Sequence, residues 1–277
     1  MPEPTWRDTI RSALAEDRAT EDATTALLGP AGTGLVGLRF IAEGPIVLAG
    51  IPLVAEAYAE LDPAVTVHAA VPEGAQVMAG TVLAEARGPA SALLSGERVV
   101  LNFLQHVSGV ATATRRIVDL VSGTGARVTH TRKTLPGLRA IELYGVEMGG
   151  GVPNRTSLAD AVMWKDNHWA LLRDPAELKA VVSRVSPGLA VVVEVENETQ
   201  LEVALAAGAT HLLIDNQTPE QLARWALRAG PGVIIQASGG ITEANARAYA
   251  AAGAHLLAIG SITHSAQSAP IRCDLVE

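Results

Sequence analysis

The sequence predicts an α/β protein in two parts: a smaller α+β domain over the first hundred residues, then parallel strands alternating with helices. Three observations carry that expectation. Residues 189–265 repeat an apolar strand, a polar tip and a capped helix, with strand centres near 192, 213, 235 and 257. The aliphatic runs are short and nearly continuous, as in parallel strands covered by helices on both faces. The polar residues best suited to chemistry fall at the C-terminal ends of these strands, which favours a barrel over an open doubly wound sheet.

Taken in order, residues 5–16 read as an amphipathic helix, and 35–42, 46–48, 65–70 and 81–86 as short strands separated by Gly and Pro turns. The segments 73–77 and 79–83 resemble the hairpin of lipoyl and biotinyl carriers. Val77-Met78-Ala79 occupies the tip where a carrier needs lysine, so the hairpin is expected to be a structural hammerhead. Strands are expected at 126–129 and 161–164, giving at least six βα-type units between about 100 and 265. The strand 189–195 leads to Asn197 as N-cap of a helix ending at Gly208; 211–214 leads to Thr218 as N-cap with Pro219 at the first helical position and Gly230 as stop. The strand 233–236 leads to Thr242 as the cap of a helix ending at Gly253, and 255–259 leads to Gly260-Ser261. Caps satisfy orphan N–H groups, and glycine takes the left-handed exit conformation.

Composition excludes several classes. The 277 residues carry a net charge of -8 and 3% aromatics, which argues against nucleic acid as partner, whether duplex or stacked single strand. One cysteine, Cys273, excludes a disulfide framework and fits a reducing compartment. No apolar run resembles a signal peptide or membrane span, so a cytoplasmic protein without a membrane partner is expected.

Against the acidic background, residues 131–168 concentrate cations: Arg132, Lys133, Arg155 and Lys165, with Gly149-Gly150-Gly151 among them. Only Lys133, Lys165 and Lys179 are lysines, and two of them lie here, as though a compact ammonium were required. A small polyanionic ligand is the expected partner. Glu194 and Glu196, two apart on a strand, share one face. With Asp215 they form either a structural ion-pair network or a site for Mg2+ and ribose hydroxyls, since hard oxygen ligands suit Mg2+. Ser238-Gly239-Gly240 and Gly260-Ser261, after the last two strands, are expected to bring backbone N–H groups to a phosphate, with the helix at Thr242 aiming its positive end there. Lys165 alone is also compatible with a Schiff-base role.

The motifs TRKTLPGLR, the GGG loop, Asn154-Arg155, KDNH, Glu194-Val195-Glu196-Asn197, LLIDN, ASGGI and IGSITHS occur in that order, after Gly96-Glu97-Arg98 and LNFLQHVSGVATATRR. Together they resemble the quinolinate phosphoribosyltransferase family. The resemblance implies an N-terminal α/β sandwich domain (1–100, hammerhead-like, with strand 268–277 returning to it) and an incomplete (β/α) barrel of the type II phosphoribosyltransferase kind (101–267). It also implies a homodimer whose sites are completed by the partner's N-terminal domain. By that resemblance Arg132, Arg155 and Lys165, with Arg98 from the other subunit, grip the carboxylates of quinolinate. Thr131, Asn154 and His168 join this substrate site, and Lys133 meets the pyrophosphate of phosphoribosyl pyrophosphate. Glu194 and Asp215 hold the ribose hydroxyls and Mg2+. Ser238, Gly239, Gly240, Gly260 and Ser261 hold the 5-phosphate, and Lys133, Glu194 and Asp215 are the catalytic set. The family pattern has histidine where Asn154 stands and aspartate where His130 stands; the first departure weakens a charge-assisted contact. The alternatives are a paralogue using another heteroaromatic acid, as in relatives found with molybdate transporters, and a non-catalytic phosphate-sugar-binding barrel.

Overall fold

The structure, a computed structural model, describes residues 6–276; residues 1–5, including the expected helix start at Thr5, and residue 277 of the expected terminal strand lie outside the described residues. The elements run α1 (Arg7–Glu16), β1 (Leu35–Ala42), β2 (Ile46–Val47), α2 (Ile51–Leu61), β3 (Thr66–Ala69), β4 (Gln76–Val77), β5 (Val82–Pro89) and α3 (Ala90–Leu120). Next come β6 (Arg127–His130), α4 (Arg139–Met148), β7 (Ala161–Trp164), α5 (Asp166–Trp169), α6 (Leu178–Val182), β8 (Ala190–Val195) and α7 (Glu198–Ala206). The chain ends with β9 (His211–Asp215), α8 (Pro219–Ala229), β10 (Ile234–Ser238), α9 (Ala246–Ala251), β11 (Leu256–Ile259), α10 (Ser261–His264) and β12 (Ile271–Val276). They form two compact units, one comprising the described residues through Arg115 with Thr134–Gly150 and the residues from Ile262 on, the other Arg116–Lys133 and Gly151–Ser261.

The first unit is an α/β sandwich. Its sheet has the order β12-β1-β5-β3, antiparallel throughout, and β2 pairs with β4 beside it. The sheet side chains Leu38, Phe40 and Leu83 join Leu53, Val54 and Tyr58 of α2 and Leu93, Val100 and Leu104 of α3 in one buried cluster. Burial of this kind contributes about 25 cal/mol per Å² of apolar surface. The hairpin tip is exposed at Met78, as a structural hairpin without a carrier lysine should be.

Helices α2 and α3 were not among the elements read from the sequence, and the structure gives the reason. The first N–H groups of α2, at Gly50 and Ile51, are each capped at 2.8 Å by the carboxylate of Glu73, more than twenty residues away, so no local cap marks its start. Within α3 two glycines look like helix breakers but serve close packing. A Cβ on Gly96 would press on Leu61 and Tyr58, and one on Gly109 would meet the Gln267 and Ser268 backbone.

The second unit is the expected incomplete barrel. Six parallel strands lie in the order β6-β11-β10-β9-β8-β7, and the two end strands do not pair with each other. Val192, Val193, Leu212, Ile214, Ile235, Ala237 and Leu257 are buried in it, and Leu201, Leu222, Trp225 and Tyr249 pack from the helices. The expected caps are present: Asn197 accepts from Gln200 N–H at 3.0 Å and Thr218 from Gln221 N–H at 3.2 Å, with Pro219 in the first turn and Gly230 leaving at φ 77.

One cap differs. Thr242 does not cap its helix through its side chain; a turn intervenes, and α9 starts only at Ala246. Asn245 Oδ1 accepts the Thr242 N–H at 2.7 Å while the Thr242 carbonyl accepts the Ala246 N–H at 2.9 Å. The asparagine outcompetes the threonine because its carboxamide reaches back across the turn and also donates to Gly240 O at 3.0 Å. The helix therefore starts several residues beyond the glycine loop. No helix among the described residues is long and apolar enough to cross a membrane.

At the opposite end of the strands, His211 meets Gln236 Oε1 at 2.8 Å, and burial holds its imidazole below the ordinary histidine pKa. The unfolded chain then binds a proton that the folded state refuses, so this residue's contribution falls as pH drops through about 6.5. We predict that thermal stability decreases between pH 7 and pH 5 and that His211→Gln makes the decrease shallower. An unchanged slope in melting experiments would remove His211 as a cause.

Candidate active site

The sheet order sets the site, because each strand's C-terminal end delivers one component. Across the sheet the ends run Arg132 and Lys133 after β6, Gly260 after β11, Ser238 to Gly240 at β10, Asp215 at β9, Glu194 and Glu196 at β8, and Lys165 after β7. Cations thus flank glycine loops on one side and carboxylates on the other.

At β6, Thr131 Oγ1 accepts the Lys133 N–H at 3.1 Å, a local turn that ends the strand. His130, 3% exposed, receives the Asn154 N–H on Nε2 at 3.2 Å, and its carbonyl receives Asn154 Nδ2 at 2.9 Å. The two positions that depart from the family motif are therefore in direct contact. Asn154 Oδ1 accepts the Arg155 N–H at 2.8 Å, and Arg155 Nη1 reaches the Ala161 carbonyl at 3.4 Å. Burial, and next the neighbouring Arg132 charge, depress the Arg155 guanidinium pKa. After Arg155 the loop is pinned by Asp160, which accepts from the backbone and hydroxyl groups of Thr156 and Ser157. Those bonds, the Ser157 hydroxyl first, hold the Asp160 carboxyl well below the usual range.

At β7, Lys165 Nζ lies 2.8 Å from Glu194 Oε2. Its backbone N–H donates to His168 Nδ1 at 2.9 Å, which orients the ring with Nε2 away from the chain. Trp169 Nε1 donates to the Glu194 carbonyl at 2.8 Å, fixing the strand end behind the carboxylate. Glu194, Glu196 and Asp215 offer carboxylate oxygens within 4.8 Å of one another. Burial, followed by the charges of Asp215 and Glu194, raises the Glu196 carboxyl pKa. Hard-oxygen donors so placed are of the chemistry that could hold a divalent cation such as Mg2+.

Asn216, beside Asp215, adopts φ 53, a left-handed conformation that asparagine tolerates. Its carboxamide donates to Asp215 Oδ2, and its N–H donates to the Ser238 carbonyl at 3.0 Å. Gly239, at φ 83, lies against it; a Cβ there would land on the Asn216 side chain and 2.7 Å from its backbone nitrogen. Arg98 is exposed on α3 in the first unit and is not part of this strand-end set. Glu196 was expected from its alternation with Glu194, whereas Asn216 and Asp160 were not among the expected site residues. Asn216 was recognisable as an asparagine directly after a strand-end aspartate, and Asp160 by Thr156-Ser157 four and three residues before it.

The arrangement defines a barrel-type α/β protein with cations, glycine loops and carboxylates at the C-terminal ends of its strands. Family models of the quinolinate phosphoribosyl transferase N-terminal domain match residues 22–108, and of its C-terminal domain residues 110–274. The nicotinate-nucleotide pyrophosphorylase [carboxylating] of Mycobacterium leprae is 40% identical, over 97% of this chain and 96% of the relative. A probable enzyme of the same name from Bacillus subtilis is 36% identical over 94% of this chain and 90% of its own length. The structure of nicotinate-nucleotide pyrophosphorylase from Francisella tularensis superposes with a TM-score of 0.93 at 29% identity, covering 100% of this chain and 98% of that one. The chain belongs to the quinolinate phosphoribosyltransferase family.

The close approach at Gly239 yields a contrast. Gly230→Ala, at φ 77 and ψ 177 with nothing near the added Cβ, should cost about 1–3 kcal/mol from backbone strain alone. Gly239→Ala should cost more than about 3 kcal/mol or displace Asn216. Urea unfolding of both variants measures this, and equal losses would contradict the packing described.

Proposed function

We propose that the protein transfers the phosphoribosyl group of phosphoribosyl pyrophosphate to quinolinate with loss of CO2, giving nicotinate mononucleotide and pyrophosphate for NAD biosynthesis. The observation that carries this reading is the order of charges across the strand ends: arginines and lysines, backbone N–H loops, then a carboxylate trio. The family's named activity requires a site for a dicarboxylate, a sugar 5-phosphate and a pyrophosphate. This order supplies one group for each.

In this reading Arg132 and Arg155 form forked hydrogen bonds to the planar carboxylates, while Lys165 and His168 close the far side. Lys133 meets the pyrophosphate as a point charge. The 5-phosphate sits on the N–H groups of Ser238, Gly239, Gly240 and Gly260, beside Ser261. Glu194 and Asp215 accept from the ribose hydroxyls and, with Glu196, would hold Mg2+. When bound, Mg2+ supplies further neutralisation of the pyrophosphate charge. Lys133 stabilises the pyrophosphate as its bond to the anomeric carbon breaks, and the pyridine nitrogen takes its place on that carbon. The ring becomes cationic, so the electron pair left when the 2-carboxylate departs as CO2 is stabilised until a proton takes that position. No side chain forms a covalent bond; positioning and electrostatics carry the rate. The enzyme acts in the cytoplasm as a homodimer, with Arg98 of each subunit completing the other's site.

Incubation with phosphoribosyl pyrophosphate, Mg2+ and carboxyl-labelled quinolinate should release CO2. Turnover of nicotinate in place of quinolinate would reject the substrate while keeping the reaction class. Arg132→Ala should lower kcat/KM by at least about a hundredfold, the scale of a lost charge-assisted fork, with the melting temperature retained. Mixed dimers of Arg98→Ala and Arg132→Ala chains should recover activity, because one site per dimer is then intact. No recovery would remove the shared-site claim.

A further inference from the structure

We propose that His130 and Asn154 form a neutral clamp that sets the spacing of Arg132 and Arg155, acting as positioning residues that do not themselves touch the acid. This inference rests on the reading of Arg132 and Arg155 as the acid subsite. Three bonds define the clamp. The Asn154 N–H donates to His130 Nε2 at 3.2 Å, Asn154 Nδ2 donates to the His130 carbonyl at 2.9 Å, and Asn154 Oδ1 accepts the Arg155 N–H at 2.8 Å. Because Nε2 accepts, the ring proton sits on Nδ1, which faces the Thr131 carbonyl at 3.1 Å. The imidazole therefore touches the peptide just before Arg132 on one side and the backbone of Asn154 on the other.

The need for such a brace follows from charge. Arg132 and Arg155 lie close enough that the charge of one disfavours the charged form of the other. Each is carried by an irregular segment rather than by regular sheet, so local hydrogen bonds set where it starts. A third cation at this point would add to the repulsion. A neutral imidazole, 3% exposed, and a carboxamide instead supply hydrogen bonds without charge. The segment before β7, joined to β6 by a parallel bridge between Thr129 and Val152, is thereby held to the segment after β6 as well. Anion binding then needs less reorganisation, which is where preorganisation gains affinity.

The test compares His130→Leu, Asn154→Leu, their double variant and His130→Gln, whose carboxamide oxygen can take the place of Nε2. Each Leu variant should raise KM for quinolinate by about tenfold, as loss of a bond to a charged subsite does, and leave that for phosphoribosyl pyrophosphate within about twofold. The double variant should be weaker than either single, because His130→Leu removes the Nε2 bond and Asn154→Leu the two carboxamide bonds. His130→Gln should recover most of the loss caused by His130→Leu. A double variant no worse than either single, a parallel rise of both KM values, or a Gln variant as weak as Leu would overturn the clamp. Crystal structures of the ligand-free variants provide a reading independent of activity: the separation of the Arg132 and Arg155 guanidinium groups should change in His130→Leu and hold in His130→Gln. If the wild-type protein fails to turn over quinolinate, the proposed function falls, and the crystallographic comparison still decides the clamp. An unchanged separation in His130→Leu overturns it.

Discussion

Repulsion between like charges is the constraint on which this molecule's site depends, and the Lys165–Glu194 pair is where it is relieved. On one side Arg155 is disfavoured as a cation by burial and by Arg132. On the other, Glu196 is disfavoured as an anion by burial and by Asp215 and Glu194. The 2.8 Å contact from Lys165 to the buried Glu194 joins the two poles. Lys165 is half exposed, so solvent screens part of the attraction, but loss of the lysine would leave a buried carboxylate uncompensated. The strand ends thus carry a positive and a negative pole joined by one ion pair.

The fold supplies the rigidity this requires. Parallel strands with both faces covered fix where each strand ends, and register across the sheet aligns Ser238 with Asp215 and Val195 with Ile214. The groups closest to the chemistry are then locked by second contacts. Trp169 holds the Glu194 backbone, Asn216 orients Asp215, Asp160 fixes the loop behind Arg155, and His130 ties Asn154 to the end of β6. Left-handed backbone at a non-glycine residue occurs at Arg18 and at Asn216, and Asn216 packs against Gly239 where two loops pass within contact distance.

Much of this was legible in the sequence wherever the signal is local. Strand β8, the Asn197 and Thr218 caps and the Gly230 exit follow from hydrophobic runs and cap chemistry within a few residues. The same holds for the chemistry-bearing residues at strand ends, since alternation and strand length place them. What was not legible depends on distant partners. The start of α2 is capped by Glu73, Gly109 lies in α3 to admit the Gln267 backbone, and Asn245 displaces Thr242 as the group closing the turn before α9. His130 and Asn154 were noticed as two separate departures from a motif; that they touch is a property of the parallel bridge between Thr129 and Val152, which lays the segment before β7 beside β6. Asn216 is marked in the sequence by its place after a strand-end aspartate, but its left-handed backbone is not.

The most direct test of the whole account is a crystal structure of the protein with quinolinate and a non-reactive phosphoribosyl pyrophosphate analogue in the presence of Mg2+. The account predicts the acid's carboxylates between Arg132 and Arg155, the 5-phosphate on the Ser238 to Gly240 loop, and a metal ion next to Glu194 and Asp215. A complex with the sugar phosphate bound away from the glycine loops, or with the acid clear of both arginines, would contradict it.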